Sequence, residues 1–200
     1  MSDWNALYVD QTVIFGAISE PRAIRSDQRG LRTYSHYPDR VFPFFAGVDT
    51  YGEDGVEQVR ANLEQGYYGI GEIVGASSYS PVTSNLAWKA EHPHDGNLPA
   101  IYDLAADYGV PVLLHIDPPD GYPIQKLEEA LDAHPDTILI FAHANAYNSP
   151  SNIDRLLGAH PNLSIDFFAG FTAYHQDSTN TLADFIPVIA QYPDRSFVGT

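Results

Sequence analysis

The chain has 200 residues, 44% of them hydrophobic, with 26 acidic side chains against 10 basic ones and a formal net charge of -16. That length and apolar content describe a globular chain able to bury a core and exclude a disordered one. The acidic balance, with lysine only at positions 89 and 126, repels phosphate backbones and argues against nucleic-acid binding.

The absence of cysteine excludes disulfides and thiolate chemistry. The first residues lack a basic start followed by an apolar run, and no stretch approaches the roughly 18 apolar residues of a membrane helix. The cytoplasm is therefore the expected location, and a membrane is not an expected partner. An acidic, lysine-poor surface also suits high salt, which screens the self-repulsion of a compact state.

In chain order, strands are predicted at 12–17, 41–48, 68–73, 111–116, 138–142, 163–168 and 196–199. Several are continuous apolar runs, the pattern of parallel strands buried on both faces. Between them lie segments of helical spacing. Val56, Val59 and Leu63 share a face that Gly66 terminates. Leu98, Ile101, Leu104 and Ala105 form the next, with Asn97 as an N-cap, Pro99 in the first turn and Gly109 as the stop. Ile124, Leu127 and Leu131 follow Pro123, and Ile153, Leu156 and Leu157 make a shorter face. A last helix around 182–190 contains Pro187, which predicts a late start or a kink.

One punctuation recurs. Tyr37-Pro38-Asp39, His134-Pro135-Asp136, His160-Pro161-Asn162 and Tyr192-Pro193-Asp194 each precede a predicted strand. Proline cannot continue a helix and pushes its predecessor out of the α region. The motif reads as one helix-to-strand loop used four times, so His134 and His160 are read as structural. Strands alternating with helices at this spacing define an α/β fold with a parallel sheet. With seven strands in 200 residues, it reads as a single domain over 1–200, an incomplete (β/α)8 barrel of the TIM type, which usually needs about 250 residues.

Such folds gather their chemistry at the carboxyl ends of the strands. Those ends carry Asp49, Glu72, His115 with Asp117, His143 with Asn145, and Asp166. Two imidazoles and a carboxylate converging on one mouth suit Zn²⁺ or a similar divalent ion, so His115, His143 and Glu72 are the candidate ligands. Asp117, Asn145 and Asp166 are candidates for substrate binding or loop support. The aromatic residues Tyr67, Tyr68, Tyr79, Tyr147, Phe171 and Tyr174 could line an apolar pocket or simply fill the core. His92-Pro93-His94 has the spacing of a chelating pair but lies in a polar loop, and proline restricts its geometry. His36 and His175 have no supporting context.

At these residues the chain resembles the amidohydrolase superfamily, specifically its amidohydrolase-related (type 2) group. The motifs are Asp39-Arg-Val-Phe-Pro-Phe-Phe-Ala-Gly-Val-Asp49, Gly69-Ile-Gly-Glu72, Tyr108-Gly-Val-Pro-Val-Leu-Leu-His115, Phe141-Ala-His143, His160-Pro-Asn-Leu-Ser-Ile-Asp166 and Asp194-Arg-Ser-Phe-Val-Gly-Thr200. The resemblance implies a (β/α)8 barrel holding divalent metal and acting on a small-molecule substrate. It assigns His115 to the fifth-strand ligand, Glu72 to a fourth-strand carboxylate position, and His143 to the sixth strand, as a ligand or as a catalytic, substrate-polarising group.

The pattern departs from the family's at both ends. No His-X-His precedes the first predicted strand, and the chain stops at Thr200, where the family's acid would follow. The expectation is a barrel truncated at both ends. Three readings stay open. The first is a metal-dependent hydrolase of amides, esters or lactones, or a related non-oxidative decarboxylase, inactive as this chain if the outer ligands are essential. The second is a non-catalytic interaction protein, with a homo-oligomer covering the open barrel edges. A TatD-type metal nuclease is the third, and the charge argues against it. If the acidic surface is a salt adaptation, the thermal unfolding midpoint rises between low and molar salt; a midpoint that stays flat or falls rejects that reading.

Overall fold

A computed structural model describes residues 2–170 and 180–199. Seven strands form one sheet in strict sequence order, every neighbouring pair parallel. They are β1 (Thr12–Ile14), β2 (Val41–Phe45), β3 (Gly69–Ala76), β4 (Val112–Ile116), β5 (Leu139–Phe141), β6 (Leu163–Phe168) and β7 (Ser196–Gly199). Helices α1 (Ser2–Ala6), α2 (Ala23–His36), α3 (Gly55–Leu63), α4 (Leu98–Tyr108), α5 (Tyr122–Ala133), α6 (Pro150–Ala159) and α7 (Ile186–Gln191) complete the described elements, with short 3₁₀ turns at Ala144–Ala146, Leu182–Phe185 and Pro193–Arg195. This is an incomplete (β/α)8 barrel.

Strand parity sorts the core. On alternate positions Phe45, Leu114, Phe141 and Ile165 pack outward against the helices, joining Val59, Ile101, Leu127, Ile153 and Leu156 in one large cluster. The opposite parity puts Phe44, Leu113, Ile140 and Ala142 in a separate inner cluster. Successive side chains point to opposite faces, so residues two positions beyond an inner one also face inward. His115, two residues past Leu113, thus projects into the barrel.

The repeated proline loop is a single local structure. Tyr37, His134, His160 and Tyr192 each cap the helix before them with φ between -140° and -123°. Side chains then tie the third and fourth of these loops each to the one before it. Asn162 donates to the carbonyls of Leu131, His134 and Thr137, and Arg195 donates to those of Leu157, His160 and Leu163. The two helix-end histidines pair with acids, His134 with Asp103 at 2.7 Å and His160 with Asp132 at 3.3 Å.

Three expectations are refined. The first strand is shorter than predicted, ending at Ile14, because Ser19 beyond it is drawn to β3: its amide donates to the Glu72 carbonyl at 2.9 Å and its Oγ accepts from the Val74 amide at 3.1 Å. Asn97 makes no side-chain cap for α4; its amide is taken by the Gly52 carbonyl at 2.8 Å instead. The last helix is interrupted as expected, with a 3₁₀ turn to Phe185 before α7 and Pro187 in the first turn of α7. Phe171, Tyr174, His175 and Thr200 lie outside the described residues.

Helix α2 buries Ala23, Asp27 and Gly30 rather than an apolar stripe. Asp27 Oδ2 accepts the amides of Ala46 and Gly47 at 3.0 and 2.8 Å, fastening α2 to the loop after β2, while Oδ1 has no partner. Burial raises its carboxyl above the ordinary 3.8, against the lowering effect of the backbone amides. A folded-state pKa above the unfolded one means that the native state binds the proton more tightly, so this group's contribution falls as pH rises through that window. Asp27→Asn is therefore expected to raise the unfolding midpoint at pH 7, with the gap closing as pH approaches 3.8. A gap that is constant from pH 4 to 7 in thermal melts would refute this account.

Candidate metal centre

Glu72 is presented by an irregularity in β3. The register pairs Ile70 with Val112 but Ile73 with Leu114, so β3 holds one extra residue at Gly71-Glu72. Such bulges re-aim a side chain beside a site. Gly71 lies at φ 127°, and a Cβ there would stand 2.4 Å from the Leu113 carbonyl oxygen. Only glycine permits that approach of β3 to β4. The strand runs on to Ala76, so Glu72 sits within β3 rather than at its end.

His143 lies two residues beyond β5 in a tight turn, with φ 72° and ψ 51°, the left-handed region that a residue with a Cβ rarely occupies. Its amide donates to the Phe141 carbonyl at 2.9 Å. Asn145, in the following 3₁₀ turn, clamps this turn to the end of β6: its Nδ2 donates to the Phe168 carbonyl at 2.8 Å and its Oδ1 accepts the Phe168 amide at 2.9 Å.

Three donor atoms meet. His115 Nδ1 and His143 Nε2 are 3.0 Å apart, Glu72 Oε1 is 3.0 Å from His143 Nε2, and it is 3.2 Å from His115 Nδ1. The Glu72 and His115 side chains are buried and that of His143 is nearly so. Among the described residues this is the one group of three or more such side chains with ligand atoms so close.

The protonation of His115 is set from behind. Its Nε2 lies 2.7 Å from Asp117 Oδ2, and a carboxylate only accepts, so Nε2 carries a proton. Asp117 is itself held by the Ser77 hydroxyl at 2.7 Å and by the amides of Ser78 and Tyr79 at 2.5 and 2.6 Å. Thr83 Oγ1 stands 3.3 Å from the same imidazole nitrogen. With Nε2 committed to Asp117, Nδ1 faces the Glu72 carboxylate, which demands positive charge between them, a proton on His115 or a cation. Burial opposes charge on both groups, yet the hydrogen bonds that His115 donates to Asp117 and Glu72 raise its pKa, and those that Glu72 accepts from His115 and His143 lower that of Glu72.

The donor set fits a divalent ion. Two imidazole nitrogens and a carboxylate oxygen are the set of several catalytic zinc sites. A ligating histidine whose other nitrogen donates to a carboxylate is the usual outer support of such sites. Glu72, His115 and His143 could hold the ion.

Of the remaining candidates, Asp166 lies on the inner parity of β6. A Cβ on Gly199 would fall 2.4 Å from its Oδ1, so the carboxylate lies over bare β7 backbone. Burial raises its pKa to about 6, with the charges of His143 and Glu72 also acting on it. Asp117 and Asn145 are engaged as described, one behind His115 and the other on Phe168. Asp49 closes the turn after β2 by accepting the amides of Tyr51 and Gly52. Tyr79 and Tyr147 stack edge to face 5.7 Å apart beside Asp117. Tyr67 packs on Phe45 in the core, and Tyr68 bonds Tyr34 on the α2 side. Sequence reasoning missed Ser19, Ser77 and Thr83; the one signal for the latter two was the hydroxyl-rich stretch Ser77-Ser-Tyr-Ser-Pro-Val-Thr-Ser84.

An incomplete (β/α)8 barrel with a carboxylate and two imidazoles converging inside it is a framework for metal-dependent chemistry. The family profile described as Amidohydrolase matches residues 4–193, and the chain belongs to that family, whose members are metal-dependent. No curated protein matches the sequence. Among solved structures the chain is similar to an uncharacterised TIM-barrel protein from Bordetella bronchiseptica, with a TM-score of 0.68 and 19% identity over 100% of this chain and 67% of that one. It is also similar to dihydroorotase from Campylobacter jejuni (TM-score 0.56, 13% identity, 94% of this chain and 60% of that one). A third is dihydroxybenzoic acid decarboxylase from Polaromonas, solved with manganese and the inhibitor 2-nitroresorcinol (TM-score 0.56, 16% identity, 100% of this chain and 73% of that one). The chain thus spans 60–73% of the lengths of these three. Among the described residues no helix is long and apolar enough to cross a membrane.

Because Asp117 orients His115, Asp117→Asn is expected to weaken divalent-ion binding by about 10–100-fold. Competition with a chromophoric chelator measures it, and an unchanged affinity would show that the Asp117 contact does not set the ligand.

Proposed function

We propose that the chain carries the central part of an amidohydrolase-type site that acts on a small carbonyl or carboxylate compound. The observation that supports this is the 3.0–3.2 Å convergence of Glu72, His115 and His143 in a buried position. Glu72 and His115 would hold the ion, zinc being the metal this donor set favours. His143 would be a third ligand or the group that polarises the substrate. A divalent ion held there supplies Lewis-acid polarisation of a carbonyl or carboxylate oxygen and lowers the pKa of water.

The chain's own residues have separable tasks. Asp117 fixes the His115 tautomer and ring plane. Asp166, on the same inner face, would take a proton from the reacting group and return it. The Tyr79–Tyr147 pair offers an aromatic wall for a planar or unsaturated substrate. The reaction is hydrolysis of an amide, ester or lactone, or loss of carbon dioxide from an unsaturated acid. The similar folds named above include one dihydroorotase and one decarboxylase, so both branches belong in the test.

The experiment is elemental analysis of the purified chain after loading with zinc or manganese, joined to assays on aryl esters, lactones and hydroxybenzoates. About one ion per chain is expected for the native sequence at a site of this kind. His115→Ala should lose the ion and the turnover together, and His143→Ala separates the two roles of that residue: loss of the ion marks a ligand, loss of turnover with the ion retained a catalytic group. Metal content well below one per chain with no turnover would sink the enzymatic reading and favour a non-catalytic interaction protein.

A further inference from the structure

We infer that the chain carries a second, peripheral site for a borderline divalent ion such as zinc, copper or nickel, formed by His134 and His94 with His92 beside them. None of these residues belongs to the Glu72–His115–His143 group. His94 and His92 lie in the loop before α4, and His134 closes α5.

The argument starts from an unsatisfied atom. His134 Nδ1 lies 2.7 Å from Asp103 Oδ1, so Nδ1 carries the proton and Nε2 holds a lone pair. The His134 side chain is only 9% exposed, and Nε2 is buried with no hydrogen-bond partner. A buried acceptor without a donor has lost its water and gained nothing in exchange. The helix-end role of His134 uses Nδ1 and the backbone, and does not account for Nε2.

The rings packed on His134 are those of Tyr102 and His94. His94 stands with its ring centre 5.6 Å away and its plane turned by 86°. Two imidazoles sharing one ion, each nitrogen about 2.0–2.1 Å from it, have ring centres about 5–6 Å apart. A turn of the His94 side chain would bring its nitrogen to the ion and open the path to His134 Nε2. His92 is bound into the same turn, its Nδ1 accepting the His94 amide at 3.2 Å. Glu129 on α5, paired with Lys126 at 2.6 Å, places a carboxylate whose charge acts on both loop histidines. Burial, and then the neighbouring His134 ring, hold His94 below the ordinary histidine value, which keeps its lone pair free.

The local chemistry repeats that of the inner site: a carboxylate behind one imidazole nitrogen leaves the lone pair of the other to ligate an ion. Asp103–His134 stands to this cluster as Asp117–His115 does to the inner one. An ion here would fasten the 77–97 loop to α4 and α5. That is the loop whose Ser77 and Thr83 reach Asp117 and His115.

The test is calorimetric titration of the full chain with Zn²⁺, with Cu²⁺ spin resonance as a structural readout. About two ions per chain are expected for the native sequence, one for each cluster. His94→Gln should remove one equivalent and leave the one that depends on His115, while His115→Ala should do the reverse. In the His115→Ala chain, bound Cu²⁺ should show nitrogen couplings that vanish when His94→Gln is added. His94 lies in a loop, so its replacement does not put the core at risk, and circular dichroism confirms the fold of each variant. If the inner site fails to load, a lone equivalent lost in His94→Gln still supports the peripheral site. A peripheral equivalent that persists in His94→Gln, or a single equivalent that only His115→Ala abolishes, overturns it.

Discussion

Three electron-rich atoms held 3.0–3.2 Å apart inside a barrel repel one another unless positive charge lies among them. Glu72 Oε1, His115 Nδ1 and His143 Nε2 are in that position, and much of the surrounding structure exists to keep them there. Glu72 and His115 come from two neighbouring strands and His143 from the turn after a third, so the triangle is a property of the sheet as a whole. The β3 irregularity turns Glu72 inward, strand parity aims His115, and a left-handed residue turns His143 back toward both. A cluster that calls for positive charge, supported from behind by a buried carboxylate, is suited to a proton or a metal ion.

The support is layered outward by chain segments far apart in sequence. Ser19 grips β3 through its own amide and hydroxyl at the Glu72 carbonyl and the Val74 amide. Ser77, Ser78, Tyr79 and Thr83 converge on Asp117 and His115. Asn145 ties the His143 turn to β6. These contacts use the lone pairs and protons of buried polar groups almost fully, which is what a low-dielectric interior requires of them. The left-handed His143 backbone costs of order 1 kcal/mol. The turn hydrogen bonds and the Asn145 clamp hold it.

The fold was legible because its physics is local. Parallel strands covered on both faces read as apolar runs, and the proline loop that ends four helices recurs as nearly the same backbone conformation. Helix α2 was harder to read, since it meets the sheet through Ala23, Asp27 and Gly30 and lacks an apolar face. His115 and His143 stood out because a histidine closing an apolar strand is conspicuous. The β3 bulge left no trace in the sequence, so Glu72 read as the end of its strand when it lies four residues before it. Asn97 reads as a cap by residue type, yet a carbonyl 45 positions away takes its amide. The same limit hid Ser19 and Thr83, whose partners are fixed only by the arrangement of the strands in space.

The two histidine clusters show how one chemical device yields different outcomes by placement. In both, a carboxylate accepts from one imidazole nitrogen and thereby fixes where the other lone pair points. Inside the barrel that nitrogen faces a second imidazole and a carboxylate already converged, so an ion would enter a site whose geometry has been prepared by the sheet. At the end of α5 the His134 ring packs against one further imidazole on a loop, and the geometry of the proposed site would have to be completed by that loop. A prepared site loses little side-chain freedom on binding, whereas a site finished by a loop must order it, so the inner cluster should bind the same ion more tightly. The long β3-to-α4 loop belongs to both settings. Its first half holds the ligand support of the inner site, and its second half carries His92 and His94, so any force that fixes one half restrains the conformations open to the other.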